Sequence, residues 1–220
     1  MKKNAIVYID GYNWYHAIFR QRPEWKWLNI QSYFESLMPH DNILSVKLFS
    51  SWIFHEPDAQ DRQKRYFDAL STLPKMRVIY GVFQPRTVTC RSNCQNKYIV
   101  QEEKKTDVNL AVEIIHDATS DVCDHIIVVS GDSDIQPAVE WVAKNKPAIK
   151  LTVFVPLLPN EYDQRRVDYY NTQKLPVDCA FLNLKAIQEN QLPDYVMLGG
   201  GKRVIRPHLW RAQIVLPSGV

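Results

Sequence analysis

Glycine is scarce in this 220-residue chain, at seven, and there are only four cysteines. With 13 prolines besides, the composition excludes collagen-like and low-complexity classes. Four cysteines do not make a disulfide scaffold at this length. Cys90 and Cys94 find no further Cys or His between residues 84 and 115 to complete a structural zinc site, so they read as reduced thiols. No apolar run approaches the roughly 18–20 residues that a membrane helix needs. The apolar stretch Ala5–Ile9 after Lys2-Lys3 is too short for a secretory leader, so a cytoplasmic setting is expected, with no membrane partner. There is no P-loop, no HExxH and no Ser-His-Asp pattern, and the six histidines fall in no ligand spacing.

What remains is an ordinary globular balance, 45% hydrophobic and 23% charged with net charge +3. Short apolar runs at residues 5–9, 43–54, 76–83, 125–129 and 151–155 read as strands. Residues 12–21, 30–38, 58–73, 106–119 and 133–144 read as helices, Asn29 capping the second of them. A further strand is expected at 180–184 and a helix at 185–190, whereas 84–100, with Pro85, Cys90 and Cys94, reads as a loop. Near-continuous apolar strands alternating with helices predict an α/β sandwich around a mainly parallel sheet. The expected organisation is one domain over 1–156, a C-terminal extension over 157–198 packed on it, and a basic tail over 199–220 beyond a Gly199-Gly200-Gly201 hinge.

The near-neutral total hides an uneven distribution. Residues 62–105 carry ten Lys or Arg against three acids, residues 111–194 carry thirteen acids against seven bases, and 195–220 carry four bases and no acid. Basic segments around an acidic middle suit a polyanionic partner, or else a solvated surface.

Ligands of open parallel sheets bind outside the carboxyl ends of the strands. Asp10 closes the first strand there, and Asp132 and Asp134 follow the apolar run 125–129. Asp107 stands in the first turn of its helix, on the stripe of Leu110, Ala111 and Ile114. Each acid could instead cap or favour a helix start. Capping does not account for a doubled Asp-x-Asp turn or for an acid on an inward stripe. Four carboxylates on one mouth repel, by about 4 kcal/mol per pair at ~4 Å and an effective dielectric of ~20. Such a cluster persists by holding protons or cations, and its hard oxygen donors suit Mg²⁺ or Mn²⁺. An acidic, cation-holding mouth between basic segments fits phosphodiester hydrolysis.

Four ordered blocks, YIDGYNWYHA at 8–17, GVFQPR at 81–86, EEKKTDVNLAVEII at 102–115 and IIVVSGDSDIQPAVEWV at 126–142, resemble the NYN domain in its LabA-like branch, within the PIN-like nuclease superfamily. RPHLW at 206–210 resembles that branch as well. The resemblance implies a PIN-like three-layer sandwich and a metal-dependent ribonuclease. It makes Asp10, Asp107, Asp132 and Asp134 the Mg²⁺- or Mn²⁺-binding and catalytic carboxylates. Asn13 becomes the polar partner near the metal, and Ser130 and Thr106 supporting hydroxyls. Glu103 is either a further ligand or a charge balancing Lys104 and Lys105. Single-stranded RNA is the implied partner, and a second copy of the chain or a regulatory protein stays open. On this reading Lys104 and Lys105 lie closest to the cleaved bond. Arg62, Lys64, Arg65, Arg86, Lys202, Arg203 and Arg206 follow the flanking backbone, while Tyr12, Trp14 and Tyr15 are candidates to stack on bases. Two alternatives remain, a catalytically weak RNA-binding regulatory module on the same fold and a phosphatase on a related one. The latter usually wants Asp-x-Asp at the first strand, where this chain has Asp10-Gly11-Tyr12.

Overall fold

A computed structural model describes residues 2–53, 56–90, 96–156 and 174–211. Strands β1 (Lys3–Asp10), β2 (Asp41–Ser50) and β3 (Met76–Tyr80) come first in the chain. β4 (Val82–Thr89) and β5 (Lys97–Lys104) then pair antiparallel as a separate two-stranded ribbon. β6 (His125–Val129), β7 (Lys150–Val155) and β8 (Val177–Phe181) complete a six-stranded sheet of order β3-β2-β1-β6-β7-β8, parallel throughout. The strand order reverses between β1 and β6.

Both faces of that sheet are covered, which explains why its strands read as continuous apolar runs. On β1, Ala5, Val7 and Ile9 pack with the core of α1 (Gly11–Trp14), α2 (Ile30–Leu37) and α3 (Pro57–Leu70). Ile6 and Tyr8 face the other way, into the core of α4 (Thr106–Thr119) and α5 (Gln136–Asn145). The architecture is the expected three-layer α/β sandwich. Asn29 caps α2 as its position suggested, its side-chain oxygen accepting from the Ser32 N–H at 3.0 Å. No helix among the described residues is long and apolar enough to cross a membrane.

Several elements differ from the sequence reading. The expected loop 84–100 contains the arms of the β4–β5 ribbon. Pro85 suggested a loop, yet a proline is tolerated in a two-stranded ribbon, where every strand is an edge. The runs of β-branched and aromatic residues at Thr87–Thr89 and Tyr98–Val100 were the signal to read. Cys90 is half-buried, and Cys94 lies outside the described residues. The last sheet strand starts at Val177 rather than at 180, and the helix after it spans Leu184–Glu189. Residues 12–21 divide into α1 and a π-helical turn, Tyr15–Phe19, a rare conformation that is frequent at functional sites.

The glycine run is a tight turn rather than a hinge. It joins β9 (Tyr195–Met197) to its antiparallel partner β10 (Arg203–Ile205). Gly200 and Gly201 sit at φ 71° and 75°, which residues with a Cβ adopt at a cost. Beyond the turn Val204 and Trp210 are buried in the main core. The Arg206 guanidinium donates to the Trp210 and Glu24 carbonyl oxygens at 2.9 and 2.6 Å. Arg206 is thereby tied into the fold, which leaves Lys202, Arg203 and Arg211 as the exposed bases among the described residues of this segment.

Candidate active site

The site forms where the strand order reverses, at the carboxyl ends of β1 and β6, the usual ligand crevice of an open parallel sheet. Asp10 is the last residue of β1 and is only 3% exposed. One carboxylate oxygen accepts the Asn13 N–H at 2.9 Å and so caps α1. The other accepts the Ser130 hydroxyl at 3.0 Å, from just beyond β6. The Ser130 Oγ in turn accepts the Asp132 N–H, and Asp132 Oδ1 accepts the Asp134 N–H, both at 3.0 Å. The Asn13 side-chain oxygen accepts the Gly131 N–H at 3.0 Å, lacing the turn after β6 to the helix after β1. Gly11 permits this close folding, because a Cβ there would lie 2.5 Å from the Phe49 carbonyl oxygen on β2.

Asp10 thus fills a capping position, as the local reading allowed, and Asp132 caps the short 3-10 turn Ser133–Ile135. Asp107 does not: α4 starts from Lys105, in a left-handed conformation (φ 75°), without any side-chain cap. Asp107 is half-buried, and its charge acts on Asp10 together with that of Asp132, so three acids from separate elements lie within electrostatic reach of one another. Asp134 is exposed at the rim, one turn beyond Asp132. Thr106 is buried, with its hydroxyl 3.4 Å from that of Ser51, and Gly81 packs so tightly on it that a Cβ would strike the Thr106 oxygen. Ser130 and Thr106 are therefore bracing hydroxyls inside the wall. Ser51 and Gly81 seat the start of α4; Gly81 opens the GVFQPR block at 81–86, whereas no local sequence signal singled out Ser51.

Burial pushes the Asp10 carboxyl up to about 6. The charges of Asp107 and Asp132 act in the same direction, against the Asn13 and Ser130 hydrogen bonds, which favour the ionised form. Folded Asp10 therefore keeps its proton to higher pH than in the unfolded chain. Stability without added cations should decline as pH rises from about 4 through about 6, by at most about 3 kcal/mol from this group. Asp10→Asn keeps the cap and should remove that component, so the variant gains on the wild type as pH rises. Urea melts at several pH values between 4 and 8 check this, and a constant difference between the two proteins would refute it.

The donor set is all oxygen, which fits a hard divalent cation. Among the described residues, no three His, Cys, Asp or Glu groups stand close enough together to hold one unaided. Of the basic candidates, Lys104 and Lys105 are exposed beside Asp107, and Arg86 is exposed on β4. Arg65 and Lys64 pair with Asp61 and Asp68 one helical turn away, at 2.8 and 2.6 Å, which offsets their charge. Tyr12 and Tyr15 are exposed, whereas Trp14 is buried and unavailable for stacking at the surface.

Two comparisons with known proteins bear on the site. The chain is 29% identical over 241 residues, 94% of its own length and 75% of the other's, to a protein named 6-hydroxy-3-succinoylpyridine 3-monooxygenase HspA from Pseudomonas putida (strain DSM 28022 / S16). No solved structure matches it significantly. The NYN domain family profile matches residues 4–166, a span that includes Asp10, Asp107, Asp132 and Asp134. The parallel sheet, the acids at its point of reversal and that match agree: the chain belongs to the NYN domain family, within the PIN-like nuclease superfamily.

Proposed function

We propose that the chain is a divalent-cation-dependent ribonuclease that hydrolyses phosphodiester bonds of single-stranded RNA. The observation carrying this reading is the buried Asp10 carboxylate at the end of β1, within electrostatic reach of Asp107 and Asp132, an arrangement that costs stability unless a cation or a proton offsets it. Asp10, Asp107 and Asp132 would hold Mg²⁺ or Mn²⁺, with Asp134 reaching from the rim. Such a cation polarises the phosphate and stabilises developing charge on the oxygens. The chain's own contribution is orientation: Ser130 and the Asn13 N–H fix both oxygens of Asp10, and Asn13 holds the Gly131 turn that aims Asp132. Lys104, Lys105 and Arg86 would receive the phosphate backbone, with Lys202 and Arg203 as further contacts. Residues 1–156 would carry the site and the rest would brace it. The finer placement in the LabA-like branch rests on the four sequence blocks.

The test is cleavage of end-labelled RNA and DNA oligomers with Mn²⁺, Mg²⁺ or EDTA. Cation-dependent products of RNA with 5′-phosphate and 3′-hydroxyl ends are expected. Tight RNA binding without cleavage under every cation would instead favour the regulatory-module reading. A second reading is prompted by the name of the monooxygenase relative and by an aromatic cavity beside the site: a free heteroaromatic acid as ligand.

A further inference from the structure

Next to the carboxylate mouth lies a cavity of about 270 Å³. It begins at Gly11 and Tyr12, the two residues after Asp10, and reaches Ser51, whose hydroxyl is 3.4 Å from that of Thr106, the neighbour of Asp107. It therefore abuts the acids from two sides without containing any of them. Ligand pockets for whole drug-sized molecules run from roughly 300 Å³ upwards, so this one is sized for a single ring system. Its walls include Tyr66, Phe67, Phe83 and Trp210, which offer ring faces and edges to a flat guest.

Two further observations point to a ligand. Trp14, 2% exposed, forms part of the wall, and its indole N–H is a buried donor with no acceptor among the described residues. Buried donors are nearly always paired, so an unpaired one in a cavity wall calls for an acceptor from outside the chain. Arg62 also lines the cavity, half-buried, and has no acidic partner among the described residues, unlike its neighbours Lys64 and Arg65. The cavity thus combines aromatic walls, one unmet donor and one unmet cation.

We propose that this cavity seats a single planar heteroaromatic ring carrying an anionic group, the ring nitrogen or carbonyl accepting from Trp14 and the anion meeting Arg62. Two sources supply a ring and an anion together: a nucleotide of the strand, through its base and its phosphate, or a free heteroaromatic acid. Only the first source rests on the ribonuclease reading above.

Calorimetric titration in EDTA, where no cleavage occurs, tests the cavity apart from that reading. The probes are AMP, UMP, nicotinate and the non-aromatic control cyclohexanecarboxylate. At least one ring probe should bind, and the control should not. Ala59→Trp, which fills the cavity from α3, should abolish that binding. Trp14→Phe, which removes only the donor, should weaken it about 5-fold, the worth of one hydrogen bond. Arg62→Ala should weaken it about 10-fold, as expected for a charge-assisted contact, and serves as the second variant if Ala59→Trp fails to fold. RNA oligomers with one abasic position then separate the sources. A loss of cleavage of at least about 10-fold at the neighbouring phosphate, with nicotinate inert, assigns the strand's own base. Nicotinate binding with no abasic effect assigns a free ring acid. The inference is overturned if no ring probe binds, if the control binds equally well, or if the folded variants bind as the wild type does.

Discussion

Asp107→Asn and Asp132→Asn should each reduce single-turnover RNA cleavage by at least about 10²-fold, the usual scale for losing one preorganised stabilising group. Neither substitution should cost stability in the absence of cations. Asp107 is not the N-cap of α4 and an Asn there keeps a side-chain oxygen, and Asn at position 132 likewise retains one to accept the Asp134 N–H. Both changes also relieve a like charge acting on the buried Asp10. Thermal melts without cations should therefore be unchanged or higher, while the rise in Tm with millimolar Mn²⁺ shrinks, because cations stabilise only a state that assembles their ligands. A purely structural role predicts otherwise: Asn retains the capping oxygen, so cleavage and the cation-dependent rise in Tm should both be unchanged. Equal cleavage by the variants, with melts and circular dichroism confirming folded protein, would remove these acids from the chemistry.

The largest effect on stability is expected from a residue remote from the mouth. Lys47 of β2 is 5% exposed, and its Nζ lies 2.5 Å from both Glu113 and Asp117 of α4. Tyr8 of β1 donates to the same Asp117 oxygen at 2.6 Å. Burial would raise the Asp117 carboxyl, but hydrogen bonds from Lys47, Tyr8 and His116 outweigh it and hold the group below the usual carboxylate range. Removing one member of a buried charge pair leaves the other uncompensated, so Lys47→Ala should cost about 3–5 kcal/mol near pH 7. The depressed acid sets the sign of the pH dependence. Its contribution is complete above the unfolded carboxylate pKa and is lost as pH falls through the folded one. The gap between wild type and variant should therefore narrow below about pH 4. Lys47→Met with Asp117→Leu, which removes both charges, should recover most of the loss. Denaturant melts of the single and paired variants at two pH values decide the matter. A Lys47→Ala variant as stable as the wild type would show that the ion pair contributes nothing.

The Asp10, Asp132 and Asp134 positions were legible locally, because each closes or follows an apolar run, and a parallel sheet presents those ends together. The inward stripe of α4 placed Asp107 on the same side. The β4–β5 ribbon was not legible, because two isolated edge strands bury too little to impose an alternating pattern on the sequence. Lys47 gave no sign either, since a lysine within an apolar strand looks like a solvated position until its partners, 66 and 70 residues away, are known.

The amino-acid sequence by itself determined the layered α/β class, the Asn29 cap, and the placement of Asp10 at the end of the first strand and of Asp132 and Asp134 just after the apolar run 125–129. These follow from local periodicity and turn chemistry, which act over a few residues. Only the tertiary structure decided that Ser130 and the Asn13 N–H share the two oxygens of Asp10, and that Arg206 holds backbone carbonyls instead of facing solvent. It alone placed an aromatic cavity with an unmet Trp14 donor beside the acids. Those features depend on strand order and on packing between segments up to 180 residues apart, as for Arg206 and Glu24, and no local pattern of residues encodes which distant side chain will close a given contact.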